Sequence, residues 1–284
     1  MTGEVSERGA SFAGMSTRVL EKAGDGPPIL LLHGFADSAD TWRPLLQTMA
    51  RDGRRVIAVD LPLFGKAHRP ETPPMLEMLD RFTAAFVEEQ SGGEEVVVVG
   101  NSLGGLLSMR AASDPALPIA GIVPIGPAGM GLQPWVGAVE WVGAALTAAA
   151  HTPVPTSVLQ RAAGELFKVL ASSDRLPSES IAHFSSHIGR GDPARLMRLA
   201  RQMLVELKHP SALDAGRISC EVVLVWGGKD KLCPPAGAQI FIDAVPHTRL
   251  EMLPARGHCV QLEDPHRIRE LVLGIGAARV PRAA

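Results

Sequence analysis

The sequence contains little cysteine and has no cluster of like charges. Cys220, Cys233 and Cys259 are an odd number of cysteines without a C-x-x-C pair. This pattern argues against a disulfide framework and a thiolate zinc site, and it favours a reducing compartment. The formal net charge is −2, and lysine and arginine form no run, which argues against nucleic acid as the main partner. We therefore expect a cytoplasmic protein that does not bind nucleic acid.

Long apolar segments are also missing. The first 28 residues carry several charges and no apolar core, so they do not predict a secretion signal. The most apolar helical stretch, WVGAVEWVGAALTAAA at 135–150, contains Glu140 and falls short of the ~20 residues that a membrane span needs. We interpret it as a helix that covers an apolar part of the protein. The chain has no internal repeat and no low-complexity tract.

The chain is built from short apolar runs that alternate with helical patterns. The runs are almost continuously apolar, as parallel strands buried on both faces should be. They lie at 28–33, 54–60, 95–100, 119–126, 221–227 and 248–254. The helical patterns lie near 40–52, 76–90, 103–113, 235–244 and 262–276. The alternation predicts a mostly parallel, doubly wound α/β sheet. An earlier strand, followed by the Gly-Asp-Gly-Pro turn at 24–27, is expected to form an antiparallel edge hairpin.

The alternation breaks after residue 127 and resumes near 217. Between these points only helical patterns occur, separated by proline, glycine and serine. They lie at 135–150, 157–172, 178–188 and 193–208. We therefore expect a core domain of residues 1–127 and 213–284, and a helical cap of residues 128–212 over the strand ends.

One predicted strand ends on a serine between two glycines, in VVVVGNSLGG at 96–105. The pattern Gly-x-Ser-x-Gly by itself occurs often by chance. Here it follows a strand and opens a helix, which is the setting of a nucleophile elbow. Gly100 and Gly104 suit a turn in which larger side chains would clash. The alternative is that Ser102 only caps the helix.

A serine hydroxyl becomes a useful nucleophile when a base contacts it and an acid orients that base. Asp230 follows the strand at 221–227, and His258 lies in the loop after the next strand. The order Ser102, Asp230, His258 is the one an elbow enzyme requires. Each residue follows a predicted strand, where open α/β sheets have their active sites. We predict that the backbone N–H groups of Phe35 and Leu103 form an oxyanion hole.

Several segments resemble the motifs of the α/β-hydrolase family with a helical cap. They are HGF at 33–35, DLPLFG at 60–65, GNSLGG at 100–105, GGKDKLCPP at 227–235 and GHCVQLEDP at 257–265. The resemblance extends from about residue 14 to 276. It implies that Ser102 is the nucleophile, Asp230 the acid and His258 the base, with Phe35 and Leu103 in the oxyanion hole. The family commonly has Asp-x-Pro-Gly-x-Gly-x-Ser where this chain has Leu63 and Ala67 in place of the first glycine and the serine. No member of the triad lies in that loop.

Other polar residues have a catalytic and a plainer interpretation. His183 and His187 have the i, i+4 spacing of a metal pair, but the glutamate of H-E-x-x-H is missing, so we expect polar residues on a cap helix and no metal. His33 could be a second base, although a structural hydrogen bond is favoured. Asp60 could replace Asp230, but it precedes the serine. Cys259 adjoins His258, and a Cys–His pair is not favoured beside a complete serine set.

The predicted helix at 193–208 has a basic face. Its members are Arg195, Arg198, Arg201 and Lys208. We interpret the face as solvated, and docking on an anionic membrane surface is the alternative.

The expected activity is hydrolysis of a carboxylic ester with an apolar acyl or aromatic group, through an acyl-enzyme and without a cofactor. The apolar composition of the cap makes Trp135, Trp141 and Phe167 candidate substrate contacts. One alternative is a C–C bond hydrolase of the meta-cleavage-product type, because GNSLGG resembles the GNSMGG elbow of those enzymes. Their H-G-x-G-P-G turn is HGFADS here. Another is a small-molecule receptor with a silent triad. The sequence predicts neither the exact ester nor an oligomeric state.

Overall fold

The computed structural model describes residues 4–49, 52–70, 74–131, 156–171, 176–189, 193–208 and 215–276. Over these ranges the chain forms one eight-stranded sheet in the order β1-β2-β4-β3-β5-β6-β7-β8. The strands are β1 (Ser6–Phe12), β2 (Met15–Lys22), β3 (Gly26–Leu32), β4 (Arg54–Val59), β5 (Val96–Asn101), β6 (Ile119–Ile125), β7 (Glu221–Gly227) and β8 (Arg249–Leu253). All pairings from β4 across to β8 are parallel. The prediction of a mostly parallel α/β sheet is confirmed.

Helices cover both faces of the sheet. They are α1 (Arg43–Thr48), α2 (Met75–Ser91), α3 (Leu103–Ala112), α4 (Thr156–Ala171), α5 (Ser178–Gly189), α6 (Pro193–Leu207), α7 (Gly237–Ala244), α8 (Val260–Glu263) and α9 (Pro265–Gly274). One-turn 3₁₀ helices lie at Ala39–Trp42 and Ala215–Arg217.

The valines of β5 explain the continuous apolar run. Successive side chains of a strand point to opposite faces of the sheet. Val96 and Val98 belong to the apolar cluster that includes α2 and α3. Val97 and Val99 belong to the cluster that includes α1 and α9. A central strand buried on both faces therefore has no position for a polar side chain until it ends at Asn101.

The first strands pair differently from the prediction. β2 pairs antiparallel with β1 and with β4, and β4 separates it from β3. The expected hairpin across the Gly-Asp-Gly-Pro turn is therefore wrong. The hairpin is instead β1–β2, joined by Ala13 and Gly14 at φ of +48° and +75°. Positive φ at both central residues is what a type I′ turn requires.

The described part of the predicted cap contains α4, α5 and α6. The rings of Phe167 in α4 and Phe184 in α5 stack with centroids 4.1 Å apart. On α6, Leu199 and Met203 join the apolar cluster of the core domain. The helix predicted at 135–150 lies outside the described residues, and so do Trp135 and Trp141. The division into core and cap remains a proposal.

Across the described ranges, none of the helices has both the length and the apolar character needed to cross a lipid bilayer.

Candidate active site

Ser102 lies in a tight turn between β5 and α3. Its backbone has φ of +53° and ψ of −111°, a conformation that non-glycine residues rarely adopt. A Cβ added to Gly100 would clash with the main chain of Gly104, and one added to Gly104 would clash with the main chain of Leu32. Only glycine therefore fits at positions 100 and 104, two residues before and two residues after the serine. This is the backbone geometry expected of a nucleophile elbow.

His258 and Asp230 are in direct contact. The distance from His258 Nδ1 to Asp230 Oδ2 is 2.7 Å, and both side chains are buried. The other carboxylate oxygen, Oδ1, accepts hydrogen bonds from the main-chain N–H groups of Leu232 and Cys233, each at 2.9 Å. Because the carboxylate accepts, a neutral imidazole carries its proton on Nδ1. Nε2 is then left as the proton acceptor.

The structure brings this pair beside the serine at the end of the sheet. The main-chain N–H of Ser102 donates to Ile125 O at 2.9 Å. Gly126 follows Ile125, and a Cβ built on it would lie 3.0 Å from Asp230 Oδ2. Asn101, directly before Ser102, donates from Nδ2 to the carbonyl oxygen of His258 at 3.0 Å. The three residues that the sequence predicted as a triad are therefore neighbours.

The loop after β3 lies against the serine. A Cβ built on Gly34 would be 3.4 Å from Ser102 Cβ. The N–H groups of Phe35 and Leu103 donate to no main-chain acceptor among the described residues. Leu103 opens α3, where the first N–H groups of a helix lack partners within the helix. Both groups are thus suited to binding an oxyanion beside Ser102.

His33 holds this loop in place. Its Nε2 accepts a hydrogen bond from the main-chain N–H of Leu61 at 2.9 Å, and its Nδ1 lies 2.7 Å from Gly34 O. Since Nε2 accepts, Nδ1 carries the proton and donates to that carbonyl. Both ring nitrogens are engaged by the main chain, so the geometry favours the structural interpretation over a second base.

Asp60 is fully buried and anchors two loops. Its carboxylate accepts hydrogen bonds from Arg18 Nε at 2.8 Å, Ala39 N at 2.7 Å and Lys66 N at 2.9 Å. Arg18 also binds Asp40 at 2.7 Å. The imidazole of His258 contacts the carboxylate of Asp230, whereas the carboxylate of Asp60 is occupied by Arg18 and two main-chain N–H groups. The geometry therefore favours Asp230 as the acid.

Leu63 occupies the position where the family commonly has glycine. It keeps a left-handed φ of +80° although its side chain is buried. Such a conformation costs a residue with a Cβ about 1–2 kcal/mol. Its N–H donates to His68 O at 2.8 Å, which holds the loop. The loop therefore accommodates leucine in place of glycine at position 63, with local backbone strain as the consequence.

Two buried cysteines flank the site. Burial raises the pKa of Cys233 well above its usual range, against a smaller opposing effect of a hydrogen bond with Ser102. Burial likewise raises the pKa of Cys259. Both thiols are therefore protonated near neutral pH, which argues against a cysteine nucleophile.

Phe167, a predicted substrate contact, packs against other side chains of the protein. It forms a small apolar cluster with Ala171, Phe184, Cys259 and Leu262. Two members of this cluster, Cys259 and Leu262, follow His258 closely in the chain. A contact of Phe167 with substrate stays a prediction.

The remaining candidates lie on α5 and α6. His183 is half-buried on α5, and the side chain of His187 is not described. The described residues contain no group of three metal-ligating side chains. On α6, Arg198, Arg201 and Lys208 are exposed, while Arg195 Nη1 donates to Leu63 O at 3.4 Å.

Sequence reasoning missed two residues of the site. Asn101 binds the carbonyl of His258, and Arg18 binds Asp60 and Asp40. For Asn101 the available signal was a polar residue at the end of a valine run. For Arg18 it was an arginine inside an apolar strand.

The chain is similar to a known family and to several known proteins. A family model described as the alpha/beta hydrolase fold matches residues 27–265. The dihydrolipoyllysine-residue acetyltransferase component of the acetoin cleaving system of Cupriavidus necator is 27% identical, over 93% of this chain and 67% of its own. The 2-hydroxy-6-oxo-6-(2'-aminophenyl)hexa-2,4-dienoic acid hydrolase of Metapseudomonas resinovorans is 24% identical, over 98% of this chain and 94% of its own.

An esterase and a phospholipase are also similar. The pimeloyl-[acyl-carrier protein] methyl ester esterase of Nitrosomonas europaea is 24% identical, over 89% of this chain and 97% of its own. Among solved structures, a bacterial membrane phospholipase A superposes with a TM-score of 0.78 at 17% identity, covering 95% of this chain and 85% of that one.

Proposed function

The chain belongs to the alpha/beta hydrolase fold family, and we propose that it is a serine hydrolase of carboxylic esters with an apolar acyl or aromatic group. The observation that carries the proposal is the Asp230–His258 contact of 2.7 Å beside a serine held at a positive φ of +53°. A buried carboxylate that holds an imidazole next to such a serine is the arrangement that nucleophilic acyl transfer needs.

In this proposal Ser102 Oγ attacks the ester carbonyl while His258 Nε2 takes the hydroxyl proton. Asp230 holds the ring in the correct tautomer and stabilises the imidazolium that forms. The N–H groups of Phe35 and Leu103 bind the oxyanion of the tetrahedral intermediate. His258 then returns the proton to the leaving alcohol, and Ser102 keeps the acyl group. A water molecule, activated by the same imidazole, releases the acid and restores the serine.

Apolar surroundings support an apolar acyl or aromatic group. Leu103, Ala128 and Met130 are buried in one apolar cluster, and Phe35 and Leu232 pack against it. Leu103 and Leu232 lie close in sequence to Ser102 and Asp230, Phe35 lies in the loop after β3, and the main-chain N–H of Ala128 donates to Ser102 O at 3.0 Å. Each methylene that a substrate buries in such surroundings contributes about 0.8 kcal/mol. The similarity to an esterase across 89% of the chain is consistent with this substrate class.

A C–C bond hydrolase of the meta-cleavage-product type is the second candidate. The relative named for a hexa-2,4-dienoic acid hydrolase aligns over 98% of this chain, and the elbow GNSLGG resembles that of such enzymes. The oxyanion turn HGFADS departs from their glycine-rich pattern. A receptor on the same fold is the third interpretation, and the complete Ser–His–Asp arrangement argues against it.

A panel of p-nitrophenyl esters from acetate to octanoate tests the proposal, run beside a dienone substrate for C–C cleavage. We expect repeated turnover that Ser102→Ala abolishes, with kcat/KM rising by up to about fourfold per methylene over the first carbons. Faster turnover of the dienone than of every ester would favour the second candidate. Stoichiometric release without turnover would favour the receptor. A kcat/KM that is independent of acyl length would overturn the apolar acyl pocket.

A further inference from the structure

The main chain of His258 is held from two sides by distant parts of the chain. Its N–H donates to the carbonyl oxygen of Ala171 at 2.8 Å. Its carbonyl oxygen accepts from Asn101 Nδ2 at 3.0 Å. Ala171 is the last residue of α4, in the predicted cap, and Asn101 directly precedes the nucleophile. One hydrogen bond therefore connects the base to the cap, and the other connects it to the nucleophile strand.

The end of α4 is suited to this contact. The last carbonyl groups of a helix have no partner within the helix, so the carbonyl of Ala171 is available as an acceptor. The side chain of Ala171 is only 1% exposed. It packs in the small cluster with Phe167, Phe184, Cys259 and Leu262, and two of these residues follow His258 closely in the chain. Water is thus kept from the hydrogen bond, which strengthens it.

The cluster is separate from the two main cores of the sheet. Its members come from α4, α5 and the segment after His258. The stacked rings of Phe167 and Phe184, with an interplanar angle of 14°, fix α4 and α5 to each other. A displacement of this helix pair would therefore be transmitted to the loop of the base.

We propose that the C-terminal end of α4 positions the catalytic base, so that the cap sets the orientation of the His258 ring toward Ser102. Ala171, Phe167 and Phe184 are positioning residues in this account, and Phe167 acts through the base loop instead of through substrate binding. The inference rests on the proposed serine hydrolase function. Three fixed points, the N–H, the carbonyl and ring Nδ1, leave the imidazole little freedom. Losing one fixed point permits displacements of about 1 Å, which can cost about 10²-fold in rate.

The test compares Ala171→Leu with Ala162→Leu. Leucine at 171 overpacks a buried cluster and displaces the end of α4. Ala162 is exposed on the same helix, so the same change there leaves the cluster intact. We expect Ala171→Leu to lower kcat by about 10²-fold with KM roughly unchanged. We expect Ala162→Leu to match the wild type. Phe184→Leu, which keeps an apolar side chain but removes the ring stack, serves as a second variant if Ala171→Leu does not fold.

A spectroscopic readout separates positioning from general destabilisation. The proton between His258 Nδ1 and Asp230 Oδ2 should give a low-field proton resonance, assigned by its loss in His258→Asn. We expect this resonance to shift or broaden in Ala171→Leu and Phe184→Leu, and to stay in place in Ala162→Leu. The proposed function stands if the wild type hydrolyses esters and Ser102→Ala does not. The positioning role is then wrong if Ala171→Leu and Phe184→Leu match Ala162→Leu in kcat and in the resonance. If Ser102→Ala keeps full activity, the proposed function fails, and the resonance still reports whether the cap holds the ring.

Discussion

Asn101 Nδ2 and the carbonyl oxygen of His258 lie 3.0 Å apart, which ties the loop of His258 to the residue before Ser102. The same amide nitrogen donates to Ile125 O at 3.3 Å, so both of its N–H groups face carbonyl oxygens. Asn101 is buried. The contact fixes the position of His258 relative to Ser102, the two residues between which a proton passes in the proposed reaction.

Replacing Asn101 with Asp should impair the enzyme without changing the size of the side chain. The carboxylate would face two carbonyl oxygens in a buried site, and the acceptors would lose their donor. We expect a fall in the free energy of unfolding of about 1–3 kcal/mol and a fall in kcat of at least about tenfold. Urea unfolding and ester kinetics measure the two effects. Wild-type kcat in a folded Asn101→Asp protein would contradict this role.

Two substitutions of Ser102 should separate catalysis from backbone strain. Ser102→Ala and Ser102→Gly both remove the nucleophile, and each should lower kcat by about 10³-fold or more. Alanine keeps the strained conformation at φ of +53°, whereas glycine relieves it. We expect Ser102→Gly to be more stable than Ser102→Ala by about 1 kcal/mol. Equal stability of the two variants would show that the turn is not strained.

Asp230 and Asp60 should differ in what their loss affects. Asp230→Asn traps the wrong imidazole tautomer and should lower kcat by about 10⁴-fold in a protein of nearly normal thermal stability. Asp60→Asn breaks the buried contacts with Arg18 and should cost about 3 kcal/mol of stability. Kinetics and thermal unfolding of both variants provide the comparison. Inactivation by Asp60→Asn together with an active Asp230→Asn would reverse the assignment of the acid.

The three thiols should react at different rates. Burial keeps the pKa of Cys233 and Cys259 well above their usual range, so both are protonated and shielded. Cys220 is partly exposed. Alkylation by iodoacetamide in native buffer should modify Cys220 first, and all three thiols should react in urea. Peptide mass spectrometry identifies the sites, with Cys220→Ser as the control. Fast native alkylation of Cys259 would argue for a reactive thiol beside the base.

Parts of the fold could be predicted because their causes are local. The valine run of β5 is apolar on both faces, and Gly100 and Gly104 are the small residues that a turn at Ser102 requires. Ser102, Asp230 and His258 each follow a predicted strand. This placement predicted that they lie close together, since parallel strands bring their carboxyl ends to one edge of the sheet.

The remaining features depend on contacts between distant residues. β1 is mostly exposed and has no apolar pattern that would predict a strand. The pairing of β2 with β4 instead of β3 depends on the order of strands across the sheet, which no local pattern encodes. Asn101 and His258 are 157 residues apart in the chain. The positive φ of Leu63 is imposed by the surrounding loop against the preference of the residue.

Stoichiometric labelling with diethyl p-nitrophenyl phosphate tests the central claim, that Ser102 is the nucleophile of an ester hydrolase. This reagent phosphorylates an activated serine and releases p-nitrophenol, and the peptide that carries the diethylphosphoryl group is located by mass spectrometry. The account predicts one p-nitrophenol per chain, a single adduct on Ser102, and loss of ester hydrolysis in proportion to labelling. Ser102→Ala should remain unlabelled. An adduct on another residue that accompanies inactivation, or full ester hydrolysis after Ser102 is labelled, would contradict the claim.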